Sequence, residues 1–594
     1  MRPRSSFFLS SALLSVAMLA STPALQAAQV ELGARQGGFQ LLVDGKPFAV
    51  HGAGGDASKK LLADIGGNTC RTWGGDDIKD KLDDAQANGL KVVVGIWLGH
   101  ARHGFKWADQ AAVAKQFADA KHLIEHWKDH PAVLAWGIGN EMEGFEAGDD
   151  ENIWKGIQEL AVMAKQVDGK HPTITTMAEI GGKRIEMVNK FCPAIDIIGI
   201  NSYGGASSLP TRYPAAGGKR PYIVTEYGIP GTWEIGKNVF NSVDELPSTA
   251  KGPIYRSVYE ALAKDPLCIG SIAFAWGSKV EATATWYGMV LPDGQRLEVV
   301  DQLAAAWGHP VANRCPTITK LVAPLTELKP GAQVTITTTV ADPENDALTV
   351  DWVLAFDPQN YNTGGDAQAA PPTYPEAIGE HDANHCTLTI PASGGLYRIY
   401  AYAHDGKGGA ALANAVLKVD APILPPKPAK ATLPTTMIGD GAVTTWSPSG
   451  YMGDTGAIKM DAASTVQPHS GTTCLQVTFD KPKGWGGVVW QSPANDWGSA
   501  PGGLNLTGAK SLTFWARGTN GGEKAKFGFG IIGKDKPFHD SAKAELAVTL
   551  SKDWTSYTID LAGKDLSCIK SGFSWVVAGQ GAPVTFFLDD VRWE

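Results

Sequence analysis

Cysteine is scarce in this chain, and the seven residues present among 594 sit apart, with no CxxC pair of the metal-binding kind. The usual cysteine signature of a structural metal is therefore missing. Basic blocks and basic-aromatic stripes are missing too, and the net charge is −9. Nucleic acid is not expected as a partner, and the modest acidic balance exerts no general pull on polyanionic polymers. After the N-terminal segment no apolar run is long enough for a membrane span. Glycine-rich pieces such as Gly52-Ala53-Gly54-Gly55 lack the GxGxxG spacing and context of a nucleotide loop. No repeat of solenoid type is present.

What remains is the composition of a globular chain, 43% hydrophobic and too long for one core. Ordinary domain sizes give three or four units. The N-terminus reads as a secretory signal: Arg2 and Arg4 precede the apolar run Phe7 to Ala20, and small residues around Ala27-Ala28 offer a cleavage site. Residues 1–28 are thus expected to be a signal peptide, and the mature protein soluble and exported, periplasmic or extracellular. No cysteine directly follows the cleavage region, so a lipid anchor is not suggested. Export permits disulfides. Cys315 with Cys386, and Cys474 with Cys568, each fall inside one expected domain and are candidate pairs. Buried free thiols are the alternative, and the preferred one for Cys70, Cys192 and Cys268 in their apolar contexts.

Between residues 29 and 312 short apolar runs alternate with longer amphipathic ones. The strand candidates are PFAVHG, NTCRTW, KVVVGIW, AVLAWGIG, TITTM, IDIIGIN, YIVTE and IGSIAFAW. Near-continuous apolar strands separated by helical stretches imply a parallel sheet covered by helices, and eight such units fit a (β/α)8 TIM barrel. Residues 313–421 switch to short alternating strands divided by Asp, Pro, Gly and Asn turns, the texture of an immunoglobulin-like β-sandwich. A proline-rich linker occupies 422–433. Residues 434–594 are again all β, expected as a jelly-roll module. The fold class is therefore multidomain: a (β/α)8 TIM barrel followed by two all-β sandwich domains.

Catalytic residues of such barrels collect at the C-terminal ends of the strands. The second strand candidate ends at Arg71-Thr72-Trp73 and the third near Trp97 to His100. The fourth delivers Asn140 and Glu141, the sixth Asn201 and Tyr203, the seventh Glu226, the eighth Trp276. Two carboxylates, polar orienters and several indoles suit sugar chemistry. One carboxyl protonates a leaving glycosidic oxygen while the other attacks the anomeric carbon, and indole faces stack on pyranose C–H faces.

These segments resemble a known group. HPAVLAWGIGNE and YIVTEYG are similar to the acid/base and nucleophile motifs of glycoside hydrolase family 2 barrels, within the larger clan of retaining β-glycosidases. GGNTCRTW, IIGINSYGG and IAFAW follow that barrel's second, sixth and eighth strands in order. The resemblance covers roughly residues 40–310. It implies Glu141 as acid/base, Glu226 as nucleophile and Asn140 as a ligand of the sugar 2-hydroxyl. It also implies that Tyr203 bonds the nucleophile, Arg71 supports it from behind and Trp276 floors the −1 subsite. Two departures stand out: only the signal and a short β lead precede the barrel, and Trp73-Gly74-Gly75-Asp76 follows Arg71-Thr72 where that family commonly has a histidine-containing loop. The C-terminal region resembles galactose-binding-like carbohydrate-binding sandwiches through FFLDDVRW and its tryptophans. VADPENDALTVDW and YAHDGKGGAA resemble immunoglobulin-like spacers of secreted glycosidases. The acidic turn Asp342 to Asp346 fits either a structural calcium or ordinary turn chemistry, and the latter is preferred.

Rival readings stand beside these. Trp73, Trp97, Trp107, Trp233 and Trp286 fit either subsites or packing; Trp485, Trp490 and Trp497 fit either a sugar platform or a core. Glu143, Glu179, Glu234 and Asp76 read as solvated acids. His51, His100 and His103 read as structural or substrate-contact histidines rather than metal ligands. The leading expectation is a secreted retaining β-glycosidase acting on a β-linked glucan or oligosaccharide, with no cofactor required. A glucan-remodelling transglycosylase using the same carboxylates is the alternative, and a non-catalytic carbohydrate-binding protein the third. The expected partner is an oligo- or polysaccharide. Sugar, linkage and oligomeric state are not written in the sequence.

Overall fold

The computed structural model describes residues 27–144, 146–361, 365–366, 368–424, 428–439, 442–443 and 445–594. An antiparallel lead comes first: β1 (Val30–Arg35), β2 (Gly38–Val43) and β3 (Lys46–Phe48). Eight strands follow: β4 (Val50–Gly54), β5 (Thr69–Arg71), β6 (Lys91–Ile96), β7 (Val133–Asn140), β8 (Thr173–Ala178), β9 (Ile197–Asn201), β10 (Tyr222–Tyr227) and β11 (Cys268–Phe274). They pair in parallel and close into a barrel in the order β10-β11-β4-β5-β6-β7-β8-β9. A helix follows each of them before the next strand or the chain beyond. This is the eight-stranded barrel expected from the apolar runs.

The residue pattern explains the strands. Val92 to Ile96 and Val133 to Gly139 are buried throughout, because helices cover one face and the barrel interior the other. Helix starts are set by caps: Asp109 accepts the amide N–H groups of Ala111 and Ala112, and Asp150 that of Asn152. At the N-terminal end of the barrel, Ala28 and Val30 with Leu41 and Val43 of β2 pack on Val93, Ile174, Ile223 and Ile272 in one apolar cluster. The lead hairpin therefore plugs the end opposite to the expected site. The signal-peptide reading lies outside the described residues apart from Ala27 and Ala28, both of which are buried.

Packing divides the chain into two compact units. The first comprises the chain up to Gly228, Tyr255–Trp276 and Leu303–Pro310; the second comprises Ile229–Ile254, Gly277–Gln302 and Val311–Glu594. The segments that follow β10 and β11 thus belong to the body that contains the β-sheets after Val311. Buried charges account for much of that grouping. Lys251 Nζ donates to Glu245 Oε1 at 2.6 Å and to the carbonyls of Thr285 and Trp286 at 2.8 and 2.9 Å. Glu245 also accepts from Thr283, Thr285 and Asn414. Arg398 donates to Asp357 at 2.8 Å, to Asn414 at 2.7 Å and to the Val243 carbonyl at 3.0 Å.

Within the second unit, two three-stranded antiparallel sheets (Gln333–Thr337, His385–Thr389, Ile378–His381; and Thr349–Phe356, Gly395–His404, Ala410–Val419) enclose a core that includes Trp352, Ile399 and Leu417. Further on, a six-stranded and a five-stranded antiparallel sheet enclose Phe514, Phe527, Phe573, Trp575, Phe586 and Trp593. Trp490 belongs to this core, as one of the two readings had it, while Trp485 and Trp497 are exposed. Of the proline-rich linker, residues 425–427 lie outside the described residues.

Neither candidate disulfide is formed: all seven cysteines are free and buried. Burial pushes the Cys386 and Cys568 thiols up to about 11, which keeps them protonated and unreactive near neutral pH. The acidic turn is closed by its own backbone, since Asp342 Oδ1 accepts the amide N–H groups of Glu344 and Asp346. Among the described residues no helix is long and apolar enough to cross a membrane.

Lys251 and Glu245 give a stability test. Replacing Lys251 by Met strips the buried Glu245 carboxylate of its cation, a change that costs about 3–5 kcal/mol at other buried pairs. Lys251→Met is expected to destabilise the second unit by about 3 kcal/mol, the low end of that range because three neutral donors remain. Calorimetric melting of the full chain reads the effect.

Candidate active site

Glu226, on β10, is held at the C-terminal end of the barrel by donors from three side chains. Arg71, the last residue of β5, donates through Nη1 to Glu226 Oε1 and to the Thr225 carbonyl, both at 2.9 Å. The indole N–H of Trp73 donates to the same Oε1 at 2.8 Å, and the Tyr203 hydroxyl donates to Oε2 at 2.7 Å. Both oxygens of Glu226 are thus acceptors for groups fixed on other strand ends. Arg71 is itself buried, and its Nη2 donates to Asn140 Oδ1 at 2.6 Å.

Glu141 follows β7 and has a different environment. Its carboxyl accepts one hydrogen bond, from Asn201 Nδ2 at 2.7 Å. Asn201 is oriented in turn by Thr225, whose hydroxyl donates to Asn201 Oδ1 at 2.8 Å. Burial, and next the negative charge of Glu226, push the Glu141 carboxyl up to about 7, against the Asn201 bond, which favours the ionised form. Its backbone is left-handed, φ 52°, following Gly139 at φ 70°. The strand's regular geometry ends there. Glu141 nevertheless keeps some accessible surface, as a group that meets a ligand must.

The structure brings together Arg71, Trp73, Asn140, Glu141, Asn201, Tyr203 and Glu226 in one hydrogen-bonded set. Trp276 is buried, with its backbone against Gly55 and its indole N–H donating to the Ser58 carbonyl at 3.1 Å. Trp97, at the end of β6, is 48% exposed. Its ring lies 4.9 Å from that of His100, which lies 5.6 Å from that of His103. His51 is apart from them, stacked on Trp307. Trp107 and Trp286 are buried and Trp233 is exposed. Asp76 and Glu234 are solvated as expected.

Two acids depart from the solvated reading. Glu143 is buried and ion-paired with Arg184 at 2.8 Å, and Glu179, at φ 68°, pairs with Arg212 at 2.8 Å. Sequence reasoning also missed Thr225 and Phe274. Phe274 meets the rings of Trp73 and Tyr203 edge-on at 5.8 and 6.2 Å, holding two Glu226 donors in place. A residue at the end of an apolar strand gives no local sign of such a role. Among the described residues no group of three or more His, Cys, Asp or Glu side chains could hold a metal ion.

No family model matches the chain, and no curated protein matches it. Solved structures do. A β-D-glucuronidase from Dictyoglomus thermophilum shares 16% identity over 47% of this chain and 53% of its own, with a TM-score of 0.37. A GH2 β-galacturonidase from Eisenbergiella tayi shares 14% over 47% and 54%, at 0.37. An endo-β-1,4-mannanase from Thermotoga petrophila shares 14% over 63% of this chain and 99% of its own, at 0.34. The chain spans about half the length of the glucuronidase and the galacturonidase, and the chemistry must be argued from the side chains.

The raised carboxyl predicts a pH-dependent stability difference. Glu141 binds its proton more tightly in the folded chain than at the ordinary value of 4.5, so folding loses stability as pH rises from about 4.5 through about 7. Glu141→Gln removes that loss. Relative to wild type, the variant is expected to gain up to ~3 kcal/mol between pH 4 and pH 8. Melting temperatures at the two pH values measure it; a constant difference would contradict the buried, proton-holding carboxyl.

Proposed function

We propose that this protein is a retaining β-glycosidase acting on a β-linked glucan or oligosaccharide. The observation that carries this reading is the contrast between the surroundings of two neighbouring carboxyls. Glu226 is surrounded by donors, whereas Glu141 holds its proton to about 7 partly because of the Glu226 charge. A carboxyl that burial keeps protonated suits an acid, and one ringed by donors suits a nucleophile.

In the first step Glu226 attacks the anomeric carbon as the glycosidic bond breaks, and the Glu141 proton passes to the departing oxygen. A glycosyl ester on Glu226 results, with Glu141 now ionised. In the second step Glu141 takes a proton from water, the hydroxide oxygen bonds to the anomeric carbon, and Glu226 leaves as carboxylate. Arg71, Trp73 and Tyr203 orient Glu226. Asn140 Oδ1 is taken by Arg71 and Asn201, so its N–H2 group is left to donate to the hydroxyl beside the reacting carbon. No cofactor enters. The exposed Trp97 with its neighbouring His100 supports a platform for a further sugar. It favours transglycosylation to a sugar acceptor as the second reading. The signal-like N-terminus supports export, and the exposed Trp485 and Trp497 support a sugar-binding role for the C-terminal sheets. Trp485→Ala in the full chain is accordingly expected to weaken retention on insoluble polysaccharide while turnover of small soluble glycosides stays within about twofold, because only local substrate concentration falls.

The deciding experiment separates the two glutamates. Glu141→Ala should still glycosylate from an aryl glycoside whose leaving group departs unaided, then stall, with azide restoring turnover as a glycosyl azide of retained configuration. Glu226→Ala should lose the covalent step on every substrate, and a 2-fluoro sugar should label the wild type at Glu226. An inverted wild-type product, or labelling at Glu143 or Glu234, overturns the assignment.

A further inference from the structure

We propose that Glu143 and Arg184 are positioning residues for Glu141, clamping the turn that carries it against the end of β8. The inference rests on the reading of Glu141 as acid/base. Glu143 lies two residues beyond Glu141, yet its side chain turns inward and is 6% exposed. Its Oε1 accepts the amide N–H of Ala178, the last residue of β8, at 2.7 Å and Arg184 Nε at 2.8 Å. The other nitrogens of Arg184 complete the clamp. Nη1 donates to the Gly181 carbonyl at 3.0 Å, and Nη2 to the carbonyls of Gly144 at 3.2 Å and Glu146 at 2.8 Å. One guanidinium thus ties the turn after β7 to the loop after β8 with bonds on both sides.

Backbone packing repeats the connection. Lys183 N–H donates to the Ala147 carbonyl at 2.8 Å. A Cβ on Gly182 would meet that carbonyl oxygen at 2.4 Å, and one on Gly148 would meet Arg184 Cγ at 2.7 Å. Both glycines also have positive φ, 64° and 78°, so the approach of the two loops excludes any side chain there.

The turn needs such a restraint. A left-handed residue other than glycine costs about 1–2 kcal/mol, and such geometry persists only where its surroundings over-determine it. Glu141 itself is held by its N–H to the Thr176 carbonyl at 2.9 Å, by its carbonyl, which accepts the Gly144 N–H at 2.9 Å, and by the side-chain bond from Asn201, none of which reaches the loop after β8. Released from the clamp, the turn would relax toward an unstrained φ and carry the carboxyl off its line to the departing oxygen. A buried ion pair is a poor way to gain stability but fixes direction well, since its geometry tolerates little drift. Charge adds a second effect. The groups facing Glu141 are Glu226 from β10, Arg71 from β5 and Glu143 from its own turn; Glu143 adds to the repulsion that keeps the proton on Glu141.

The test uses full-length protein and aryl glycosides of the sugar that the wild type cleaves fastest, with leaving groups from 2,4-dinitrophenol to phenol. General acid catalysis is worth about 10²–10⁴-fold, and only poor leaving groups need it. Arg184→Ala is expected to lower kcat/KM about 100-fold for the phenyl glycoside and less than about fivefold for the dinitrophenyl one. Arg184→Lys keeps the charge but loses the fork and is expected to show the same dependence at smaller amplitude; it carries the test if Arg184→Ala does not fold. Glu143→Gln is expected to move the basic limb of the kcat/KM profile to lower pH. Equal losses on both leaving groups, with that limb unmoved, would mean a merely structural pair and overturn the clamp. A wild type that cleaves none of these glycosides would instead overturn the glycosidase reading on which the clamp depends.

Discussion

Arg71 sits where the barrel strands end, buried, and its positive charge has to be matched by whatever those strands present. It is matched by Glu226 and Thr225 on β10 and Asn140 on β7, with longer contacts to Asn201 on β9 at 3.4 Å and Thr176 on β8 at 3.5 Å. A buried guanidinium left short of acceptors would cost several kcal/mol, so these residues are not free to move separately. Asn201 is bonded to Asn140 as well as to Glu141. Through that asparagine the constraint set by Arg71 reaches a carboxyl that the guanidinium does not itself touch.

From this follows the asymmetry of the two glutamates. Arg71, Trp73 and Tyr203 are all donors, and all three aim at Glu226. One amide reaches Glu141. With acceptors saturated on one side and nearly bare on the other, burial and the neighbouring charge act on Glu141 almost unopposed. The difference between the carboxyls lies in the wiring of strand ends and not in the residues, which are chemically the same.

That wiring sets what could be read from the sequence. The barrel was legible because strands buried on both faces must be apolar throughout, and eight such runs alternate with helical stretches. Glu141, Glu226, Arg71, Asn140, Asn201 and Tyr203 were legible as candidates because each stands at the end of such a run, and the structure brings them together. Trp73 was visible only as an indole; that its N–H meets Glu226 depends on β5 ending opposite β10. Glu143 read as a solvated acid because its partner lies 41 positions away and nothing local marks its side chain as turned inward. The placing of residues 229–254 and 277–302 in the second unit was equally hidden, since it rests on buried partners such as Asn414 and Arg398 more than a hundred residues later in the chain.

The two ends of the barrel contribute differently to its stability. Its N-terminal end is closed by an apolar cluster in which the lead hairpin covers valines and isoleucines from six of the eight strands, and such burial contributes roughly 25 cal/mol for each Å² removed from water. The opposite end holds Arg71, Glu226, Glu143 and Arg184, buried charges that apolar residues of similar size could replace without loss of stability. It also holds left-handed Glu141 and Glu179, a conformation that side chains other than glycine disfavour. Strain of that kind is tolerable only while the rest of the barrel holds the strands in register.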